Sequence, residues 1–372
     1  MTPRPIDDLL VDISAVWSAL DAEAEPCELA RTPTPTLIAL MDELGVQRVK
    51  VPTVLGGDDL WLADQFQWFI ALSHACPTAG WTGFVHAGAA ARAGKGLPEE
   101  GIAEVFANGV PFLTAVAAPE GNHKDVDAGV ILNGRWRYAS GVAHSEWALL
   151  TSVSDDGVLM AAVPIHDCVI GVDWNVMSLQ GTGSFDVAVK NLFVPERRII
   201  RSLTAAVRGG PFQTIGFPAT ATAEGAGFII GVSERFVQEL TTYARTTKRG
   251  NQGRIADRGA FAYELGKSEM QIAAARAHAA HVFREADNAI SHSQRLTARE
   301  EADLVSVMSH STMLANDAIH RLFDFSGAGS LSNQSVLQRC YRDARGLAQH
   351  LVSSNASFDR RGQALLDDPA KG

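Results

Sequence analysis

At 372 residues, 46% of them hydrophobic, the chain is long enough to bury a sizeable core in two or three domains, which excludes a disordered protein. Its 42 acidic against 32 basic residues give a net charge of −10, with no basic stripe. That argues against nucleic acid or an anionic membrane as the main partner and favours a small molecule. Cys27, Cys76, Cys168 and Cys340 lie far apart, with neither metal-ligand nor disulfide-framework spacing, and read as reduced thiols. The start, MTPRPIDDLL, lacks a cationic region followed by an apolar core, and no run of about 18 apolar residues occurs. The expectation is a soluble, cytoplasmic protein.

From residue 1 to about 112 the apolar residues fall at helical spacing, as in Leu37, Leu40, Met41 and Leu44, with breaks at Pro33, Pro35 and Gly56-Gly57. A helical N-terminal domain over 1–112 is expected. From Phe112 to Ile200 the pattern turns to β. Val130-Ile131-Leu132, Asn133-Gly134 and Arg135-Trp136-Arg137-Tyr138 read as a hairpin about a type I′ turn, because Asn-Gly readily takes positive φ. A second turn is expected at Asp155-Asp156-Gly157. Phe185, Val187 and Val189 alternate with polar or small residues as a half-buried strand does, and Pro195 closes that segment. A middle antiparallel β domain over 113–207 follows.

All seven tryptophans fall between Trp17 and Trp174, and beyond residue 205 the chain becomes alanine-rich and helical. Long helices are expected from about Ala221 to Thr247, from Ala256 to Ile290, after Thr297 and after Ser335, the last two opened by capping boxes with Glu300 and Gln338. A C-terminal four-helix bundle over 208–372 results. Glu269 and Arg276 are expected to pair on one helix inside it. Gly225-Ala226-Gly227 with Gly231 lacks a preceding strand, so it reads as close helix packing rather than a dinucleotide loop. Neither a carboxylate-bridged metal pair nor a GxSxG hydrolase elbow is found.

The helical, β, helical order resembles the acyl-CoA dehydrogenase fold, an α+β architecture, across nearly the whole chain. The resemblance rests on Ala118-Pro119-Glu120-Gly121, on NGRWRYASG (133–141), on GTGSFDVAVKNLFVPE (181–196) and on RDARGLAQH (342–350). Tyr138-Ala139-Ser140-Gly141, then His144 and Trp147, then Trp174 and GTGS, resemble the flavin-dependent monooxygenase branch, the oxygenase components of two-component systems. In many dehydrogenases a Tyr-Glu-Gly follows the arginine-aspartate-alanine segment by two turns, and its glutamate takes the substrate's α-proton. Counted without gaps, that glutamate falls on Leu351 and the tyrosine on His350, and leucine cannot abstract a proton.

The resemblance implies reduced FMN, with FADH2 as the other form, dioxygen, a C4a-hydroperoxyflavin, and hydroxylation of an aromatic or heteroaromatic small molecule. Alternatives are N- or S-oxygenation within the same branch, or an acyl-CoA dehydrogenase-type oxidoreductase. The partners it implies are a separate NAD(P)H-dependent flavin reductase and three further copies in a homotetramer.

The resemblance also implies the site. His350 would donate to the oxygen adduct or exchange a proton near neutral pH; on spacing alone it is a helix-surface histidine beside an apolar stripe of Cys340, Ala344, Leu347 and Leu351. Ser140 would face flavin N5, or merely end a strand in a turn with Gly141. His86 would position or deprotonate the substrate, or serve as a buried structural histidine. Tyr138 and Trp174 would wall the isoalloxazine or simply fill a β core, and Ser184 and Thr182 would meet flavin or bond backbone. Arg245 would take the flavin phosphate from a neighbouring subunit, with Lys248 and Arg249 as rivals, or serve as a helix C-terminal cation capped by Gly250. Gly327 and Gly329 would let backbone approach flavin or phosphate, or only join two helices.

Overall fold

The computed structural model describes residues 3–203, 205–248, 253–293 and 295–367. Six helices come first: α1 (Ile6–Ala22), α2 (Ala24–Ala30), α3 (Pro35–Leu44), α4 (Leu62–Ala75), α5 (Pro77–Gly96) and α6 (Glu99–Val105). Helix α3 starts as expected, with Pro35 at its first position and Thr34 Oγ1 accepting the Leu37 N–H. Strands β1 (Leu113–Val126), β2 (Gly129–Ala139), β3 (Trp147–Ser154), β4 (Gly157–Pro164), β5 (Val169–Ile170), β6 (Phe185–Pro195) and β7 (Ile199–Ile200) follow. Then come α7 (Thr222–Thr246), α8 (Gly259–Ser293), α9 (Ala298–Phe323), α10 (Val336–Leu347) and α11 (Ala356–Leu366).

The described residues form two compact units. The first comprises Met1–Trp61, Trp81–Val176 and Gln180–Phe217; the second comprises Leu62–Gly80, Met177–Leu179 and Pro218–Gly372.

In the first unit the strands form one sheet in the order β5-β6-β2-β1-β3-β4-β7, antiparallel except for the β1–β3 pair. The turn at Asp155-Asp156 joins β3 to β4 as the sequence predicts, with Gly157 at φ +125°. The hairpin predicted at Asn133-Gly134 is not there. The chain reverses at Asp127-Ala128, with Ala128 at φ 60°, and β2 runs straight through Asn133-Gly134. Asn133 Oδ1 accepts the Asn191 N–H where the β2–β6 register shifts, and a β-carbon on Gly134 would stand 2.6 Å from the Gly121 α-carbon. The dipeptide therefore serves a bulge and a close strand approach rather than a turn. The indole of Trp136 is fully buried beside it and donates to Thr151 O at 2.6 Å.

In the second unit α4, taken from the N-terminal helical stretch, packs along α7. Its Phe66, Trp68, Phe69 and Leu72 are buried, and a β-carbon on Gly227 would lie 2.7 Å from that of Phe69, so the glycine pattern on α7 is helix packing. Asp287 of α8 caps α4, accepting the Leu62 and Ala63 N–H groups at 3.0 and 2.9 Å. Thr297 and Glu300 form the expected capping box. Ser335 does not: its side chain caps nothing, because Gln338 is taken up by Asn333 O and by Arg342. Glu269 and Arg276 are both exposed and do not pair; Arg276 reaches Glu234 of α7 at 2.8 Å instead. The four cysteines are free thiols.

Candidate active site

Strand β2 delivers the central serine by breaking its own alternation. In a regular strand Trp136, Tyr138 and Ser140 would share a face. Instead the β2–β6 register shifts between Trp136 and Ala139, and Tyr138 adopts φ 67°. Trp136 and Ser140 end up buried while Tyr138 turns out, 63% exposed, its ring edge-on to Trp174 with centroids 6.3 Å apart. Those are the two aromatics expected to face a flat ligand, and the structure puts them side by side on the first unit's surface.

Ser140 is the hub of a buried polar cluster. The Trp81 indole N–H of α5 donates to its Oγ at 3.0 Å, and indole is a donor only, so that bond occupies an acceptor site on Ser140. Ser184 Oγ lies 2.6 Å from Ser140 Oγ, and Thr182 Oγ1 lies 2.7 Å from Ser184 Oγ. Backbone bonds fix the frame: Thr114 Oγ1 donates to Ser140 O, and Gly141 N donates to Thr182 O at 2.9 Å. The GTGS segment therefore brings the Ser184 hydroxyl to the YASG serine, with the Thr182 hydroxyl behind it.

His86 sits directly behind. Its Nδ1 is 2.8 Å from Leu113 O, which places the ring hydrogen on Nδ1 and leaves Nε2 a bare acceptor. That Nε2 is fully buried and has no hydrogen-bond partner among the described residues. It abuts Gly141, whose φ of +68° and missing side chain make room for it: a β-carbon there would stand 2.5 Å from Nε2. The ring edge also meets Phe112, centroids 5.0 Å apart. Burial pushes the His86 pKa down to about 4, with the Leu113 bond opposing and nearby His144 assisting. A base that weak orients a donor but does not deprotonate a phenol, which narrows the two roles expected of it. His144 bonds Thr32 Oγ1 at 3.4 Å and is likewise held below its usual pKa, chiefly by burial.

The remaining expected residues lie in the second unit. His350 is not on a helix surface: α10 ends at Leu347, and His350 caps the short turn after it, Nδ1 accepting from Val352 N at 3.4 Å. That bond leaves the ring hydrogen on Nε2, so the group is a donor. Burial lowers its pKa to about 4, which keeps the ring neutral near pH 7. Cys340, Ala344 and Leu347 are buried as predicted, but Leu351 is 69% exposed because the helix stops before the stripe reaches it. Arg245 is exposed in the last turn of α7, and Gly329 lies against Tyr243 of that same turn, so the cation and the glycine turn share one neighbourhood. Gly327 holds φ +73°. Lys248 is exposed and its backbone forms an isolated antiparallel β-bridge with that of Arg254; Arg249 and Gly250 lie outside the described residues.

Trp81 has no signal in the sequence beyond its helix, since it meets Ser140 from 59 positions away. The buried His86 makes stability depend on acid. His86 is neutral in the fold down to about pH 4 but protonates near 6.5 when unfolded. The unfolded chain therefore binds more protons between those values, and stability falls as pH drops through that window. Taken from pH 7 to pH 5, this one residue is expected to withdraw about 2 kcal/mol. Denaturant titrations should show His86→Gln losing less than the wild type over the same interval; equal losses would remove His86 from the account.

Residues 225–355 match the acyl-CoA dehydrogenase C-terminal domain family. A flavin-dependent monooxygenase oxygenase subunit, HsaA, of Rhodococcus jostii is 29% identical over 92% of this chain and 93% of its own. A pigment production hydroxylase of Rhodococcus sp. is 28% identical over 97% of each. Among solved structures, XiaF from Streptomyces sp., in complex with FADH2 and glycerol, superposes with a TM-score of 0.89 at 23% identity, covering 99% of this chain and 97% of that one. The chain has the acyl-CoA dehydrogenase fold, and over most of its length it is similar to oxygenase subunits of flavin-dependent monooxygenases.

Proposed function

We propose that this chain is the oxygenase component of a two-component flavin-dependent monooxygenase. It accepts reduced flavin, FMN or FADH2, from a separate NAD(P)H-dependent reductase and hydroxylates an aromatic or heteroaromatic small molecule. The observation that carries this reading is the Ser140–Ser184–Thr182 hydroxyl cluster beside Gly141, against which lies the buried His86 Nε2, without a hydrogen-bond partner among the described residues. Its donor set suits a planar heterocycle with polar edges: short hydroxyls for the ring's polar atoms, and the exposed Tyr138 with the half-buried Trp174 beside it for the ring itself. Bound reduced flavin supplies the two electrons that let dioxygen give one atom to the substrate and the other to water.

The protein's own groups do the rest. Ser140, its position set by Trp81 and Ser184, presents a hydroxyl in a dry, preorganised setting. His86 Nε2 accepts a hydrogen bond, orienting a hydroxyl or N–H of the substrate. His350, in the second unit, carries its ring hydrogen on Nε2 and has the chemistry of a neutral hydrogen-bond donor. Arg245, with the Gly327–Gly329 turn, receives the flavin phosphate from a neighbouring subunit of a cytoplasmic homotetramer.

The test is incorporation of labelled dioxygen. The purified chain, supplied with reduced FMN by a separate reductase, should place one labelled oxygen on a phenol or indole. Acyl-CoA oxidation with no label incorporated would replace this reading with the dehydrogenase one.

A further inference from the structure

The Arg342–Gly346 segment carries no substrate base, yet its polar groups converge on three residues far away in sequence. Asp343, 3% exposed, accepts the Leu179 N–H at 2.6 Å. Arg342 Nη1 donates to Met177 O at 2.9 Å. Gly346 presses against the residue between them: a β-carbon there would overlap Ser178 Oγ and lie 3.1 Å from Leu179 Cδ1. Leu179 is held at φ 53°, a left-handed conformation that a branched side chain adopts only when its surroundings impose it. Met177–Leu179 accordingly belong to the helical unit, although the chain on either side of them belongs to the sheet unit. One residue further on, the chain enters the Gln180–Thr182 turn; Ser184 just after it meets Ser140, and Thr182 bonds Ser184.

We propose that Arg342, Asp343 and Gly346 are positioning residues: they clasp Met177–Leu179 and so set where the chain enters the turn carrying Thr182 and Ser184. The clasp explains why an arginine, an aspartate and a glycine stand at this spacing on α10. Positions one, two and five of the motif fall on one helical stripe, giving a donor, an acceptor and a flat place for backbone to lie. Its consequence for turnover rests on the monooxygenase reading above; the clasp itself does not.

Hydrogen exchange on the full-length protein without flavin tests the clasp. Asp343→Ala should raise exchange across residues 177–184 roughly tenfold or more, because a buried amide loses its acceptor, while α7 exchanges as before. Asp343→Asn keeps a carbonyl oxygen in place and should recover most of the protection. Arg342→Gln, whose lost bond is half-exposed, should give a smaller increase confined to the same residues and guards against a variant that fails to fold. Unchanged exchange over 177–184 in Asp343→Ala, or an equal rise throughout α7, overturns the proposal. In turnover with reduced FMN, Asp343→Ala should release several times more hydrogen peroxide per flavin oxidised, with Asp343→Asn intermediate. Raised exchange with unaltered coupling overturns the link to the site. A wild-type protein that forms no oxygenated product instead sinks the monooxygenase reading and leaves the exchange result standing.

Discussion

Gly141→Ala is expected to cost about 2–4 kcal/mol of stability, a large effect for one methyl group. Two causes add. The backbone at φ +68° is unfavourable for any residue with a β-carbon, worth about 1 kcal/mol. The new carbon would also stand 2.5 Å from the His86 imidazole, which is fully buried, bonded to Leu113 and packed on Phe112. The imidazole must then move and give up the Leu113 bond, or the β2 terminus must shift and pull Ser140 from Trp81. Chemical denaturation followed by tryptophan fluorescence measures the loss. A double-mutant cycle with His86→Ala separates the causes, since removing the ring should return the steric part and leave the backbone part. A Gly141→Ala protein as stable as the wild type would show that His86 does not occupy this place.

Ser140→Ala is expected to cut oxygenated product per reduced flavin tenfold or more, with hydrogen peroxide release rising to match. The hydroxyl belongs to a buried serine, its position set by the Trp81 indole at 3.0 Å and Ser184 at 2.6 Å. Alanine takes the Ser140 acceptor from the buried Trp81 N–H, a cost of about 1–3 kcal/mol that denaturation would reveal separately. Flavin oxidation should continue, because electron transfer from reduced flavin to dioxygen does not need the serine. Product yield equal to wild type would remove Ser140 from the chemistry. Loss of product together with loss of reduced-flavin binding would make it a binding residue instead.

The fold was legible wherever one local rule decided the outcome. Thr297 and Glu300 made their capping box because both partners sit within one turn, and Asp155-Asp156 turned because no other strand claimed those residues. The same rules failed where a distant partner intervened. Asn133-Gly134 has ideal turn chemistry, yet its amide side chain is spent on Asn191 and its glycine on the approach of Gly121. Ser335 has its Gln338 at the right spacing, but Arg342 and Asn333 hold that glutamine. Glu269 and Arg276 share a helix, but Glu234 on the neighbouring helix is better placed.

By itself the sequence determined the order of helical, β and helical segments, the helix packing read into Gly227 and Gly231, and the chemical types at the site. Those properties live in periodicity and residue identity, which are local. Only the tertiary structure decided that Tyr138 turns out while Ser140 turns in, since a strand's parity is set by bulges against its neighbours. The same holds for His86, neutral because Leu113 takes its only N–H and burial removes water from the rest. It holds too for the arginine and aspartate of RDARG, which hold Met177–Leu179 from about 165 residues away. Burial and long-range hydrogen bonds depend on which segments meet, and no spacing within the chain encodes that meeting.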